Sequence, residues 1–283
     1  MKLAPFRYAA PTSVAEAVAL LGSCDAKALS GGQSLMPILA FRLSAPELIV
    51  DLKHVRGLDR ITIDERGVIL GAKVRWHDIE TDARLLSAHP LLAEAIKHVA
   101  HYQIRNRGTV GGSLAHADPA AEMPGIAASC DAILTIVGSK GERKVAAADF
   151  FEGALQTCLE ADELITEILL PFWPQARRWG FQEFARRRGD FALAGVAAYY
   201  DLDAQGHASN THIGVIGASD RPRRLATAES ALNGMAVTPG AIAAAAAAAS
   251  AEVDPPSDIH APADYRRALV ATLVERALTH AAR

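Results

Sequence analysis

Two glycine-rich turns, set in hydrophobic and regularly patterned sequence, constrain this chain more than any other feature. The first reads Ser30-Gly-Gly-Gln-Ser-Leu-Met-Pro37, and the second lies in residues 108–124, which begin Gly-Thr-Val-Gly-Gly-Ser. Three glycines within five residues make a poor helix interior or strand, so we expect positive φ or a close approach to another group. Successive N–H groups in such turns can bind an anion, and the two turns together could hold the two phosphates of a dinucleotide. A single Gly-Gly pair is more often only a tight turn.

Length and charge narrow the class of protein. The chain has 283 residues, enough for two modest domains or one large one, and half of them are hydrophobic. The net charge is −3 and no extended basic tract is present, which argues against a nucleic-acid partner. The N-terminal sequence lacks a long apolar stretch, and no charge-free apolar segment long enough for a membrane span occurs except a weakly hydrophobic alanine run. These features predict a soluble cytoplasmic protein without a transmembrane segment.

The chain lacks the usual motifs of several other chemistries. Its cysteines, Cys24, Cys130 and Cys158, are widely separated, so we expect buried thiols in a reducing compartment and no four-cysteine iron–sulfur cluster. The motifs G-x-G-x-x-G, G-x-x-x-x-G-K-[ST] and G-x-S-x-G are absent. His98 and His101 have no third ligand at a usual spacing, so neither a metal site nor a catalytic residue is predicted.

The pattern before residue 174 alternates short helices and strands. Ser13 and Glu16 predict a capping box for a helix over 14–21, and Gly22 ends it. A strand over 26–30 then leads into the first glycine turn and a helix from Ser34, an order that favours an anion site. Further predicted strands are 47–52, 61–63, 68–70, extended sequence at 71–74, 132–138, 143–146 and 163–171; further predicted helices are 77–86, 91–99 and 120–129.

A boundary is predicted at Pro171-Phe-Trp-Pro174. After it come three strands and then three helices, which is an α+β pattern. The strands are expected at 179–184, 195–200 and 212–217, and the helices at 226–232, 239–251 and 263–281. We therefore expect a first domain over 1–173, with subdomains of about 1–57 and 58–173, and a second domain over 174–283.

The motifs resemble those of the FAD-binding medium subunit of the molybdenum hydroxylases, the family of carbon monoxide dehydrogenase and of the xanthine dehydrogenase flavin domain. The resemblance covers the whole chain. It rests on Phe6-x-Tyr8, Pro11-x-Ser13-x-x-Glu16-Ala17, Ser30-Gly-Gly-Gln-Ser-Leu-Met-Pro37, Leu48-x-Val50-Asp51-Leu52, Ile69-x-Gly71-Ala72, Gln103-Ile-Arg-Asn-x-Gly108-Thr-Val-Gly-Gly-Ser113, Asp118-Pro119, Glu163-Leu-Ile-x-x-Ile168 and Gly189-Asp-Phe-Ala192.

The resemblance implies an α+β protein with a two-subdomain FAD-binding fold of the vanillyl-alcohol oxidase (PCMH) type, followed by a C-terminal α+β domain. The two glycine turns would hold the FAD pyrophosphate from opposite sides, Glu122 would bind the ribityl or ring portion, and Leu164 and Ile165 would pack near the isoalloxazine. The turn with Arg187 and Asp190 would approach the flavin from the C-terminal domain. The implied FAD-binding residues are Ser30, Gly31, Gly32, Gln33, Ser34, Leu35, Thr109, Val110, Gly111, Gly112, Ser113, Asp118, Glu122, Leu164, Ile165, Arg187 and Asp190.

The resemblance also implies a role in electron transfer. In such complexes a large molybdopterin-binding subunit oxidises the substrate, a small subunit carries [2Fe–2S] clusters, and FAD passes the electrons to a quinone, NAD or a cytochrome. A heterotrimer, doubled, is the expected assembly. Two alternatives stay open: a stand-alone FAD-dependent oxidoreductase acting on a small substrate, and a non-enzymatic assembly module, against which the intact glycines argue.

Overall fold

The protein is described here by a computed structural model that covers residues 2–283 and contains both helices and strands. The strands are β1 (Arg7–Ala9), β2 (Ala26–Leu29), β3 (Leu48–Asp51), β4 (Ile61–Asp64), β5 (Gly67–Gly71), β6 (Ile133–Gly138), β7 (Gly141–Ala146), β8 (Phe151–Gly153), β9 (Gln156–Thr157), β10 (Leu164–Pro171), β11 (Arg178–Phe184), β12 (Ala194–Leu202), β13 (Ala208–Ile216) and β14 (Arg223–Arg224). The helices are α1 (Val14–Leu21), α2 (Leu35–Ala40), α3 (Trp76–Thr81), α4 (Leu85–Ala88), α5 (Pro90–Ile96), α6 (Tyr102–Arg105), α7 (Val110–His116), α8 (Glu122–Ser129), α9 (Ala147–Phe150), α10 (Ala226–Leu232), α11 (Pro239–Glu252) and α12 (Ala263–Ala281).

A small parallel sheet, ordered β1-β3-β2, opens the chain and supports the first glycine turn. Helix α1 covers this sheet with a buried face whose residues lie one and four positions apart. The helix begins where Ser13 Oγ accepts a hydrogen bond from the amide of Glu16 at 3.2 Å. The Glu16 carboxylate returns to the amide of Thr12 at 2.8 Å, one residue before the cap. The predicted capping box is therefore present with its second bond displaced by one residue. Strand β2 ends at Leu29, directly before the turn.

A five-stranded antiparallel sheet follows, in the order β4-β5-β10-β6-β7. Its central strands are rich in apolar residues, and their buried side chains form one core with helices α5, α7 and α8. Strand β10 has a bulge between Ile165 and Glu167 where it pairs with β6, and such a bulge re-aims the side chains beside it. The start of β10 thereby forms part of the wall of a cavity.

The third sheet, ordered β11-β12-β13-β14, has helices on both faces. Helices α10, α11 and α12 cover one face, with Ala245 and Ala249 of the alanine run inside that core. Small residues allow this close approach: a Cβ on Gly180 would lie 2.2 Å from the carbonyl oxygen of Ala277 in α12. The opposite face meets α8, since Phe181 and its sheet neighbours belong to the core of the preceding sheet. The α+β class predicted from the sequence is confirmed.

Three local predictions are wrong. Residues 71–74 do not continue extended, because the amide of Val74 bonds back to the carbonyl of Gly71 in a tight turn. The helix expected at 77–86 is divided into α3 and α4, since Asp82 leaves the helical conformation. The second glycine turn is helical: Gly111 and Gly112 occupy the first turn of α7, where helix-poor residues are tolerated because their amides find partners outside the helix.

None of the helices in residues 2–283 is both long enough and apolar enough to span a lipid bilayer.

Candidate functional site

A cavity of about 1040 Å³ opens where the three sheets approach one another. This size is at the upper end of the range for small-molecule sites. It is bounded by the first glycine turn, α7, the start of α8, the β8–β9 hairpin, the start of β10 and the β11–β12 connection. The predicted site residues that line it are Ser30, Gly31, Gly32, Gln33, Ser34, Leu35, Thr109, Gly111, Gly112, Ser113, Asp118, Glu122, Leu164, Ile165 and Asp190.

Two predicted residues lie outside the lining. The side chain of Val110 is fully buried in the core beneath α7, and its amide donates to the carbonyl of Val74 at 2.9 Å. Arg187 is exposed in the β11–β12 connection, while Asp190 in the same connection faces the cavity. Val110 therefore holds the helix in place, and the C-terminal sheet reaches the cavity through residues 189–191.

The first glycine turn is built around a contact that only glycine permits. A Cβ on Gly31 would lie 2.0 Å from the carbonyl oxygen of Arg107, at the entrance to the second turn. Gly32 has a φ of +73°, which L side chains rarely adopt. The Ser30 and Thr109 hydroxyls hydrogen-bond at 3.0 Å, so the two turns are joined directly. Gln33 Nε2 also donates to the carbonyl of Gly31 at 2.9 Å and fixes the curve of the turn.

The first turn presents unused hydrogen-bond donors to the cavity. Among the described residues, none accepts a hydrogen bond from the backbone N–H groups of residues 31–34. Helix α2 begins directly after them at Leu35, so its positive end lies at the same place. Consecutive free N–H groups at a helix start fit a phosphate or pyrophosphate.

The second turn does not offer the free amides expected from its sequence. Gly111 donates to the carbonyl of Ala72 at 2.8 Å, and Gly112 donates to Thr109 Oγ1 at 3.3 Å. Its glycines serve close packing instead, since a Cβ on Gly111 would lie 2.6 Å from the Cβ of Ala72. The amides of Gly111 and Gly112 are therefore already paired within the protein, unlike those of the first turn. The second turn contributes a wall and the hydroxyls of Thr109 and Ser113.

The start of β10 gives the cavity an apolar wall next to a fixed anion. Leu164 and Ile165 are buried and line the cavity. The preceding Glu163 accepts hydrogen bonds from Arg143 Nε and Nη2, both at 2.7 Å. The hydrogen-bonded Arg143 guanidinium holds the pKa of Glu163 below its usual range, so this carboxylate stays ionised. A planar aromatic ligand would fit beside the apolar pair.

Carboxyl groups line the cavity near the start of α8. Asp118 Oδ1 accepts from the amide of Ala120 at 2.9 Å, which orders the chain just before the helix. Glu122 is buried, and this burial, with a contribution from the nearby Asp118 charge, raises the pKa of Glu122 to about 7. Glu122 is thus a carboxyl group that can hold a proton near neutral pH.

Several lining residues lacked any motif in the sequence. Trp76 lines the cavity, as do residues 155–157 in and around the β8–β9 hairpin. One signal was available: a Cβ on Gly108 would lie 2.6 Å from Trp76 Nε1, so the glycine marks a close approach to a large side chain. The identity of that side chain depends on tertiary packing and could not be found from spacing. The contact between Gly189 and the His101 ring could not be found from the sequence either. Gly189 has a φ of +87°.

Across residues 2–283, no three His, Cys, Asp or Glu side chains are grouped closely enough to hold a metal ion. The cavity instead combines unpaired backbone amides, apolar walls and the buried carboxyl group of Glu122. These features fit a dinucleotide with a pyrophosphate and an aromatic ring system.

Two family models match the chain and together span nearly all of it. The model described as "FAD binding domain in molybdopterin dehydrogenase" matches residues 4–173. The model described as "CO dehydrogenase flavoprotein C-terminal domain" matches residues 179–281. The first alone covers more than half of the chain.

Characterised relatives match over their full length. The nicotine 6-hydroxylase medium subunit of Paenarthrobacter nicotinovorans is 40% identical over 282 residues, which cover 99% of both chains. The carbon monoxide dehydrogenase medium chain of Hydrogenophaga pseudoflava is 37% identical over 98% of this chain and 96% of the relative. A solved structure of carbon monoxide dehydrogenase from the latter organism superposes with a TM-score of 0.96 at 38% identity, over 99% of this chain and 98% of that one.

Proposed function

Since the chain belongs to the FAD-binding medium-subunit family of the molybdenum hydroxylases, we propose that it passes electrons from [2Fe–2S] clusters on a small partner subunit through FAD to an external acceptor. It is an FAD-dependent oxidoreductase subunit by its family. The proposal adds the route of the electrons, a large molybdopterin-binding partner that oxidises the substrate, and a cytoplasmic heterotrimer as the working assembly.

The observation that supports this proposal best is the cavity, because it collects donors suited to a pyrophosphate and walls suited to a flavin in one place. The free amides of residues 31–34 would bind the phosphates, and Ser30 and Thr109 would hold the turn beneath them. Leu164 and Ile165 would pack against the ring system. Bound FAD supplies electron transfer in single or paired steps.

The protein's own residues would position the cofactor and limit water around it. The β10 wall is apolar and rigid, since its side chains also belong to the cores of the sheets. The β11–β12 connection closes another side with Asp190 and Phe191, and Phe191 is 69% exposed. Such an exposed aromatic group beside the cavity offers a surface where a donor or acceptor can approach the cofactor. A quinone, NAD or a cytochrome is the proposed acceptor.

The electron route is tested on the complex purified through a tag on this chain. Its subunits are identified, its iron and molybdenum are measured, and the flavin and iron–sulfur absorbances are followed after rapid mixing with a reductant. We expect flavin bleaching to follow cluster reduction, and an external acceptor to restore the flavin first. Removal of FAD should leave cluster reduction intact and abolish transfer to the acceptor.

Two results would overturn the proposal. Purification without metal-containing partners, together with direct reduction of the flavin by a small substrate, would favour a stand-alone oxidoreductase. A chain that takes up no FAD, even with its partners, would favour an assembly module.

A further inference from the structure

Two glutamates, one from a helix and one from the third sheet, lie close enough to interact, and the first of them lines the cavity. Glu122 is the first residue of α8, and Glu183 lies on β11. The strand register aligns Glu183 with Gly195 and Gly195 with Ile216, so these three residues form a row across the third sheet. This row faces α8, because a Cβ on Gly125 would lie 2.4 Å from Ile216 Cγ2. Glu122 lies one helical turn before Gly125, at the end of α8 that borders the cavity.

Gly195 lies between Glu183 and Ile216 in this row, and there is no room for a larger residue in its place. A Cβ on Gly195 would lie 2.8 Å from Ile216 Cγ1 and 3.5 Å from Glu183 Cγ. Because Gly195 has no side chain, there is space for the Glu183 side chain beneath α8. Its Oε2 atom is enclosed and has no hydrogen-bond partner among the described residues. An ionised carboxylate without a partner in such surroundings is unfavourable, so a protonated group is expected there.

Burial and neighbouring carboxylates both raise the pKa values of the pair. Burial, and then the neighbouring Glu122, raises the pKa of Glu183 to about 8. Burial, and to a smaller degree Asp118, raises the pKa of Glu122 to about 7. Other titratable groups that line the cavity include His116 of α7 and Asp190 of the β11–β12 connection. No lysine or arginine stabilises either carboxylate in the described part of the chain.

We propose that Glu122 and Glu183 form a proton-holding pair whose proton occupancy follows the redox state of the FAD in the adjacent cavity. The inference rests on the function proposed above, because it requires FAD at that site. Two carboxyl groups that interact in a poorly solvated region titrate as one unit and keep one proton between them near neutral pH. Glu183 comes from the C-terminal sheet and is not among the flavin-site residues expected from the sequence.

The physical basis is charge compensation. Two electrons from the donor and one proton from solvent leave the flavin with one more negative charge than before. That charge raises the proton affinity of the pair, which binds a proton from solvent as the flavin is reduced and releases it on oxidation. No bond other than O–H forms or breaks at the glutamates. The role of the two glutamates is to compensate charge near the flavin, so they are positioning residues and not catalytic residues.

The test uses the FAD-loaded full chain and measures the flavin midpoint potential against pH, from below to above the titration range of the pair. In the wild type the potential should fall more steeply with pH across that range than in Glu183→Gln. Glu122→Gln should move the steep part to lower pH, because the charge that raises the pKa of Glu183 is gone. Glu142→Gln, an exposed carboxylate on β7, is the matched control and should follow the wild type.

A second readout needs no variant and covers the case in which Glu183→Gln fails to fold. Infrared difference spectra between oxidised and reduced wild-type protein should show the C=O band of a protonated carboxylic acid gaining intensity on reduction. Parallel potential profiles, or no change in that band, would overturn this inference while FAD binding stands. A chain that binds no FAD would overturn the proposed function and the pair's redox role with it.

Discussion

Replacing Gly31 by alanine tests whether contact between the two glycine turns creates the phosphate subsite. The new Cβ would lie 2.0 Å from the carbonyl oxygen of Arg107 and 2.9 Å from the Cα of Gly108. Both neighbours are backbone atoms, so no side chain can rotate away. The turns must separate by about 1 Å to reach even a tight contact of 3.0 Å. That movement stretches the hydrogen bond between Ser30 and Thr109, now 3.0 Å long, beyond its useful range.

The cost can be worked from these two effects. Forcing an extra carbon into a packed contact costs about 1–3 kcal/mol, and losing a hydroxyl hydrogen bond costs about 0.5–1.5 kcal/mol. The FAD-free protein can relax by letting the turns separate, whereas the bound state requires the free amides of residues 31–34 in one place. The cost therefore falls mainly on binding, and we expect FAD to bind about ten- to a thousandfold more weakly.

The assay is a fluorescence titration of FAD-free protein, accompanied by thermal unfolding with and without FAD. Gly240→Ala is the matched control, because a Cβ there has its nearest neighbour 3.9 Å away in the first turn of α11. The control should bind FAD as the wild type does. Unchanged FAD affinity in Gly31→Ala would refute the reasoning, since the close contact would then be irrelevant to the subsite. Equal losses in both variants would refute it as well.

Two further outcomes follow from the packing and from a buried ring. Gly180→Ala places a Cβ 2.2 Å from the carbonyl of Ala277, so we expect a loss of about 1–3 kcal/mol in unfolding free energy, measured with urea, and an unchanged flavin content per folded protein. Burial lowers the pKa of His89 to about 3 in the folded state, so stability from its neutral ring is complete above the unfolded pKa of 6.5 and is lost as pH falls below it. The contribution of His89 to the unfolding free energy should drop by about 2 kcal/mol between about pH 7 and about pH 5. The unfolding free energy of His89→Gln should therefore depend less steeply on pH than that of the exposed control His260→Gln. Parallel curves for the two variants would contradict this.

The sequence predicted elements well where one local signal decides the structure. Helices α1, α10 and α12 have the bounds expected, and α1 begins at the Ser13 cap predicted from the sequence. The hairpin of β4 and β5 followed from alternating isoleucines around Gly67, whose φ is +135°. Helix α3 was extended too far because nothing in its composition shows that Asp82 leaves the helix.

The sequence predicted most of the expected residues that line the cavity, but not the contacts that each of them makes. Motif spacing pointed to both glycine turns, and nearly all the expected residues do line the cavity. What Gly111 does could not be read from spacing, since glycine serves a free amide and a close contact equally well. The structure decides between them through the acceptor on Ala72, which lies 39 positions away in sequence. Glu183 was missed because β11 alone gives no sign that α8 will cover it.

The different roles of the two glycine turns explain why the site needs both. The unpaired amides of residues 31–34 can bind an anion only if the backbone that carries them is held in one conformation. Gly32 makes that backbone unusually flexible. The restraint comes from the second turn, whose amides donate hydrogen bonds to residues 72–74 and so anchor α7. Thr109 then presents its hydroxyl to Ser30 from a rigid support. The first turn is thus fixed by its contact with the second, while the second turn is fixed by its own hydrogen bonds. We expect the proposed phosphate subsite to depend on this pairing.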